Sequence, residues 1–256
     1  MTKATTLAGT KVVVTRPAKQ AGILCDLIER YGGQAIRFAS LEITEPADSA
    51  AINRLLDRID TYDIAIFVSR NAVEGAARLL SGAIPESLTL MAVGKASARA
   101  VEQQWQRPAT SPTEGANSEG LLKTEVLQNV DGRNIIIFRG QGGRELLGET
   151  LQQRGASVDY AEVYRRVRPD HDLTALIHSD ADVITATSNE SLQNLFEMAT
   201  APQREWLRTR QLIVLSQRGA HLAHKFGFHH PAIIAPTTDD PGLLDAILEW
   251  RLQKHN

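Results

Sequence analysis

A single cysteine, Cys25, stands in a chain of 256 residues, which rules out a disulfide framework and a thiolate metal cage and favours a reducing, cytoplasmic setting. Charge of one sign is missing too. Lys and Arg number 28 against 30 Asp and Glu, a formal net charge of −2. The basic residues are scattered, so neither a nucleic-acid footprint nor an anionic membrane surface is indicated. No apolar run approaches the roughly 18 residues a membrane span requires. Met1 to Thr10 is polar and lacks the apolar centre of a secretion signal.

Familiar catalytic and cofactor signatures are equally scarce. There is no nucleophile elbow, no triad spacing and no evident carboxylate pair. His221 and His224 lie three apart and His229 and His230 are adjacent, but no carboxylate or thiolate is spaced to join them, so no metal site is expected. In Arg139-Gly140-Gln141-Gly142-Gly143-Arg144-Glu145 a dinucleotide fingerprint would need glycine where Glu145 stands, and a triphosphate loop would need Lys-Ser/Thr. A receiver domain would need acidic residues after its early strands, where Thr15-Arg16 sits instead. Chemistry in such a chain must lean on positioning more than on a reactive side chain.

What the chain does have is a doubled pattern. Val12-Val13-Val14-Thr15-Arg16-Pro17 recurs as Ile135-Ile136-Ile137-Phe138-Arg139-Gly140. Asp63 to Ser69 recurs as Asp182 to Ser188, and Met91 to Ala98 as Ile213 to Ala220. Two related halves imply two lobes and a ligand cleft.

Apolar runs predict strands at Lys11–Thr15, Ala35–Ala39, Ile64–Ser69, Leu90–Gly94, Asn134–Arg139, Ser157–Val163, Asp182–Thr187, Gln211–Ser216 and His230–Ala235. Amphipathic stretches predict helices near Gln20–Tyr31, Ala72–Leu80, Ser97–Gln104, Ser118–Leu127, Arg144–Arg154, Ser191–Met198, Gly219–Phe226 and Pro241–Lys254. Alternation of this kind reads as α/β, with parallel sheets flanked by helices. Pro17 suits a first helical turn, and Gly32, Gly155 and Gly227 suit left-handed helix ends. Arg107 to Gly120 reads as an ordered loop or a mobile rim. Lobe crossings are placed at Ser40–Thr44 and Arg165–His171.

In an open parallel sheet ligands gather beyond the carboxyl ends of strands, near helix N-termini. The candidates there are Thr15, Arg16, Ser69, Gly94, Lys95, Ser97, Arg139, Gly140, Gly142, Arg144, Ser188, Asn189, Ser216 and Arg218. Ser, Thr and Asn are also good helix caps, so each one singly reads either way. As a set they suggest a cleft for a polar, anionic small molecule. Tyr164, at a strand end beside a crossing, is either a packing residue or a proton donor.

The ordered series of Val14-Thr15-Arg16-Pro17, Ser69, Gly94-Lys95-Ala96-Ser97-Ala98, Arg139 to Leu146 and Val163-Tyr164-Arg165-Arg166 resembles the uroporphyrinogen-III synthase family over the full length. The resemblance implies two α/β domains, one discontinuous (1–38 with 169–256) and one continuous (43–163). A two-stranded connector (39–42 and 164–168) would join them, with the active site in the cleft. It implies a monomeric, cofactor-free lyase of heme biosynthesis. Such an enzyme cyclises hydroxymethylbilane, a linear tetrapyrrole with eight carboxylates, losing water and inverting ring D through a spiro intermediate. By resemblance Tyr164 assists departure of the hydroxyl, and Ser69, Ser188 and Gly94 to Ser97 face the substrate. Gly219 stands where some relatives place threonine, and Ser216-Gln217-Arg218 lacks the glycine of the first half. The rival expectation is a non-catalytic, two-lobed binding module for an anionic metabolite.

Overall fold

The computed structural model describes residues 6–80, 82–115 and 117–254. Met1 to Thr5 of the polar N-terminal stretch, and Ala116 within the Pro/Ser/Thr/Gly-rich loop, lie outside them. The chain divides into two compact units, Met1–Glu42 with Val167–Asn256, and Ile43–Arg166.

The first unit opens with strand β1 (Lys11–Val14), helix α1 (Gly22–Arg30) and strand β2 (Gln34–Arg37). Strand β3 (Glu42–Thr44) follows at the division. The second unit runs through α2 (Ser49–Leu56), β4 (Ile64–Phe67), α3 (Arg70–Leu79), β5 (Thr89–Ala92), α4 (Lys95–Trp105) and α5 (Ser118–Leu121). It then adds β6 (Asn134–Gly140), α6 (Leu146–Gln153) and β7 (Ser157–Val167). The chain returns to the first unit with α7 (Thr174–His178), β8 (Val183–Ala186), α8 (Asn189–Met198), α9 (Ala201–Arg208), β9 (Gln211–Val214), α10 (Gln217–Phe226), β10 (Ile233–Ile234) and α11 (Asp240–Lys254).

Each unit is built on a five-stranded sheet. The orders are β10-β9-β8-β1-β2 and β3-β7-β6-β4-β5. Every pairing in the first sheet is parallel, as are the β7-β6, β6-β4 and β4-β5 pairings of the second. Strands covered by helices on both faces are apolar throughout, and β4, β8 and β9 are buried at every position. Because side chains alternate along a strand, each strand feeds two cores. Val12 and Val14 enter one core while Val13 enters another. In the second unit Ala65 and Phe67 pack on one side of the sheet and Ile64 and Ile66 on the other.

All nine expected strands have a counterpart, several of them shorter at the carboxyl end. Ser69, Gly94 and Ser216 end no strand; each is the N-cap residue of the helix that follows. Strand β7 is longer than expected and runs four residues past Val163. The helix expected over Ser118–Leu127 is one α-turn followed by a separate 3-10 turn at Glu125–Leu127. Pro17 precedes a 3-10 turn at Ala18–Gln20 rather than the helix itself, which starts at Gly22. Gly32, Gly155 and Gly227 take positive φ of 83°, 89° and 78° at helix ends, as their positions suggested. The Arg107 to Gly120 loop is tied to β5 through Thr110, which exchanges backbone hydrogen bonds with Leu90 and Ala92 at 2.9 Å. Three helices (α2, α7 and α9) and strand β3 were not expected.

Candidate active site

The site in the second unit starts from an irregularity in the sheet. Along most of β6 and β7 residues pair one for one, ending with Arg139 opposite Glu162. The next pair is Gly140 opposite Tyr164, so β7 advances by two residues while β6 advances by one. A bulge re-aims side chains. Here it brings the ring of Tyr164 over Gly140. A Cβ at Gly140 would stand 2.6 Å from ring atoms Cε2 and Cζ and 2.9 Å from the phenol oxygen. Only glycine admits the ring at that place.

The Tyr164 side chain is 1% exposed, yet it helps line a cavity of about 320 Å³ with Val68, Arg139, Arg144, Tyr160 and Arg166. Its phenol oxygen lies 3.2 Å from Ser69 Oγ and 3.3 Å from Arg166 Nη2. Ser69 is held in turn as the cap of α3, its Oγ accepting from the Ala72 amide at 3.1 Å. Ser69 thus caps its helix and reaches the phenol, doing both things the sequence left open.

Arg139, 7% exposed, is surrounded by its own chain. Nε and Nη2 donate to Glu162 Oε1 at 3.2 and 3.0 Å, and Nη1 lies 3.0 Å from Glu145 Oε1. The same Nη1 approaches the Gly143 and Arg144 carbonyls at 3.4 and 3.5 Å. The guanidinium carbon sits 3.7 Å from the centre of the Tyr160 ring, a close cation–π contact. Burial pushes the Tyr160 phenol pKa up, and its bond to Glu145 adds to this; Arg139 partly offsets them. Arg139 therefore holds the loop after β6 in place, with two carboxylates already matched to its charge. Within that loop Gly142 takes φ +71° with open space around it. Arg144 points out to solvent, its nearest carboxylate, Glu119, 3.8 Å away. At the end of β5, Gly94 is the N-cap residue of α4; Lys95 is exposed and Ser97 is 7% exposed.

In the first unit the candidates separate into two groups. Thr15 is 1% exposed and its hydroxyl is spent internally, donating to the Thr185 carbonyl at 2.7 Å and lying 2.9 Å from Ser191 Oγ. Ser40 Oγ joins that buried cluster, 2.6 Å from Ser191 Oγ. Arg16 is paired with Asp240 at the start of α11. Ser188 and Ser216 cap α8 and α10, accepting from Ser191 at 3.0 Å and from Gly219 at 3.2 Å. Asn189 and Arg218 open onto a surface cavity of about 400 Å³ that also meets Gln217, His221 and Lys225. The structure thus gathers Tyr164, Arg139, Gly140 and Arg144 round one cavity, with Ser69 against the Tyr164 phenol, and seats Thr15 in the core.

Two residues that complete this cavity, Tyr160 and Arg166, were absent from the candidate set. The signal for Arg166 was its place two residues from Tyr164 on the same strand; Tyr160 lies before the bulge, and simple alternation does not carry from it to Tyr164. Among the described residues no group of three or more His, Cys, Asp and Glu side chains is placed to hold a metal, and no helix is long and apolar enough to cross a membrane.

The chain is thus an α/β protein of two compact units, with hydroxyl-capped helix N-termini at the strand ends and a buried phenol held by a serine and an arginine in the second unit. Comparison with known proteins narrows this class. The family model described as "Uroporphyrinogen-III synthase HemD" matches residues 24–245. A uroporphyrinogen-III synthase of Salmonella typhimurium is 32% identical over 244 residues, covering 92% of this chain and 99% of its own. That of Escherichia coli is 30% identical over the same length and shares. The chain belongs to the uroporphyrinogen-III synthase family, enzymes of tetrapyrrole biosynthesis classed as lyases. Solved structures share the fold. A mutant uroporphyrinogen III synthase from Thermus thermophilus has a TM-score of 0.62 at 18% identity, covering 96% of this chain and all of its own. A synthetase from Helicobacter pylori has a TM-score of 0.61 at 14% identity, covering 94% of this chain and 99% of its own.

Proposed function

We propose that this protein converts hydroxymethylbilane to uroporphyrinogen III by cyclisation, dehydration and inversion of ring D, without a cofactor. Membership of the family supports the activity; the observation that carries the mechanism is the Tyr164 phenol, buried to 1% yet opening on a cavity beside Ser69 and Arg166.

Hydroxymethylbilane closes by itself to the uninverted isomer. The protein's task is therefore to select one ring closure over another, which is differential stabilisation of a transition state more than activation of a poor nucleophile. Tyr164 donates its proton to the departing hydroxyl, whose C–O bond breaks with the electron pair leaving on oxygen, and water forms. The substituted carbon of ring D attacks the exocyclic carbon of the azafulvene cation left behind, and the new C–C bond gives the spiro intermediate. Carboxylates of the substrate itself would offset part of this delocalised charge. Rearrangement and loss of a proton from a pyrrole carbon then complete the inverted macrocycle. A proton returned to the phenolate closes the cycle, so the reaction is redox-neutral.

Arg144, Lys95 and Arg218, all exposed, and the amides at the N-termini of α3, α4, α8 and α10 suit carboxylates. Arg139 is assigned to the loop it holds. The protein acts as a monomer in the cytoplasm on this reading, where the buried free thiol of Cys25 would stay reduced.

The test is a coupled assay in which porphobilinogen deaminase supplies hydroxymethylbilane and the oxidised porphyrins are separated by isomer. A series III product that scales with this protein is expected. Series I alone, at the spontaneous rate, would remove the assignment.

A further inference from the structure

We infer that Arg166 is a positioning residue for Tyr164: it orients the phenol proton and balances the phenolate that proton donation leaves. The inference rests on the reading in which Tyr164 supplies the proton.

A guanidinium carries five N–H donors and no acceptor. The 3.3 Å contact between Arg166 Nη2 and the phenol oxygen therefore has one polarity, with Arg166 donating and Tyr164 accepting. One lone pair of the phenol oxygen is occupied in this way, and the phenol's own proton cannot point at Arg166. Ser69 Oγ, 3.2 Å away, already accepts from the Ala72 amide. The serine hydroxyl can donate to the phenol or accept from it, so it serves as a swivel. Once a substrate oxygen occupies the cavity, Ser69 can turn to donate, and the phenol proton is left facing the cavity that Tyr164 and Arg166 both line.

The same two donors fit the state after transfer. When the C–O bond has broken and the proton has left with water, Tyr164 carries a negative charge. Arg166 Nη2 and Ser69 Oγ then both donate to a phenolate oxygen, and charge-assisted bonds are the stronger kind. Arg166 also lies over the ring, its guanidinium carbon 5.7 Å from the ring centre. The arrangement is built by strand geometry, since residues two apart on β7 share a face. The β7 bulge fixes the Tyr164 end by seating the ring on Gly140.

A double-mutant cycle tests this, using kcat and KM for series III formation by the full chain. Arg166→Gln should lower kcat about 10- to 100-fold, the range for a hydrogen bond to a charged group. In the Tyr164→Phe background the same change should cost no further kcat, because its target is gone. Arg166→Lys, which keeps charge without the planar fork, should recover part of the loss. Were Arg166 instead a simple contact for a substrate carboxylate, KM would rise and the two changes would multiply. That result overturns the inference and leaves the proposed activity standing. A wild-type kcat in Tyr164→Phe would overturn the inference together with the proton-donor reading. Absence of series III product from the wild type would overturn the activity itself, and the inference with it.

Discussion

Gly140 and Tyr164 are paired across a bulge so closely that a single methyl group at Gly140 would lie 2.6 Å from the phenol ring. The ring is rigid and buried, so it cannot swing aside as the end of a long side chain would. Gly140→Ala should therefore cost about 1–3 kcal/mol of stability, the usual range for overpacking a core site. It should also displace the phenol and lower the yield of series III. Urea unfolding and the coupled assay would report the two effects. Wild-type values in both would show that the ring has room to move.

Removal of the phenol oxygen separates chemistry from packing. Tyr164→Phe keeps the ring against Gly140 and loses only the contacts to Ser69 and Arg166. A stability loss of about 1 kcal/mol is expected. If the phenol is the proton donor, kcat should fall about 10²- to 10⁴-fold with little change in KM. Unchanged turnover in steady-state kinetics would reduce Tyr164 to a packing residue.

Arg139 and Arg144 sit five residues apart and should answer mutation in opposite ways. The Arg139 side chain is 9% exposed and ion-paired with Glu145 and Glu162. Arg139→Gln should destabilise by about 1–3 kcal/mol, less than a fully buried pair because both carboxylates remain partly solvated. The Arg144 side chain is 70% exposed, with its nearest carboxylate at 3.8 Å. Arg144→Gln should leave stability within about 0.5 kcal/mol and raise KM. Thermal melts and saturation curves on both variants would decide it. A KM effect confined to Arg139→Gln would mean that the buried guanidinium, not the exposed one, meets the substrate.

Much of the fold was legible because apolar strands and their punctuation are local signals. Ser69, Ser188 and Ser216 announce helix starts by residue type, and Gly32, Gly155 and Gly227 announce ends. Some signals were present but passed over. Thr200 and Gln203 form a capping box ahead of α9, and Asp48 caps α2 by accepting from Ala51. Strand β3 is different: three half-buried residues carry no pattern of their own. At the site, Tyr164 stood out by type and place. The pairing that gives it meaning did not, because a bulge is set by the register in which β6 and β7 meet, and no residue type in either strand announces that register. Arg139 showed the converse. Its charge invited an anion, but Glu145 and Glu162 come to it only in the folded chain. Thr15, similarly, is drawn inward by Ser191 and Thr185, more than 150 residues away.

One link in that sheet should show in the pH dependence of stability. Asp63, at the entry to β4, accepts from the Asn134 amide through Oδ2 and from Arg133 through Oδ1, both at 2.8 Å. The Asn134 amide and then Arg133 hold its carboxyl below its ordinary value of 3.8. A carboxyl depressed in the folded state gains its stabilisation while ionised. Its contribution is complete above about pH 5 and fades as pH falls through 3.8, where the unfolded chain takes up its proton first. It is gone once the folded-state carboxyl is itself protonated. Asp63→Asn should therefore be less stable than wild type at pH 7, and the gap should narrow steadily below pH 4. Urea midpoints for both proteins across pH 7 to 3 would show it. A gap independent of pH would mean that Asp63 acts through its hydrogen-bonding shape alone, with its charge screened by solvent at the 34% exposed side chain.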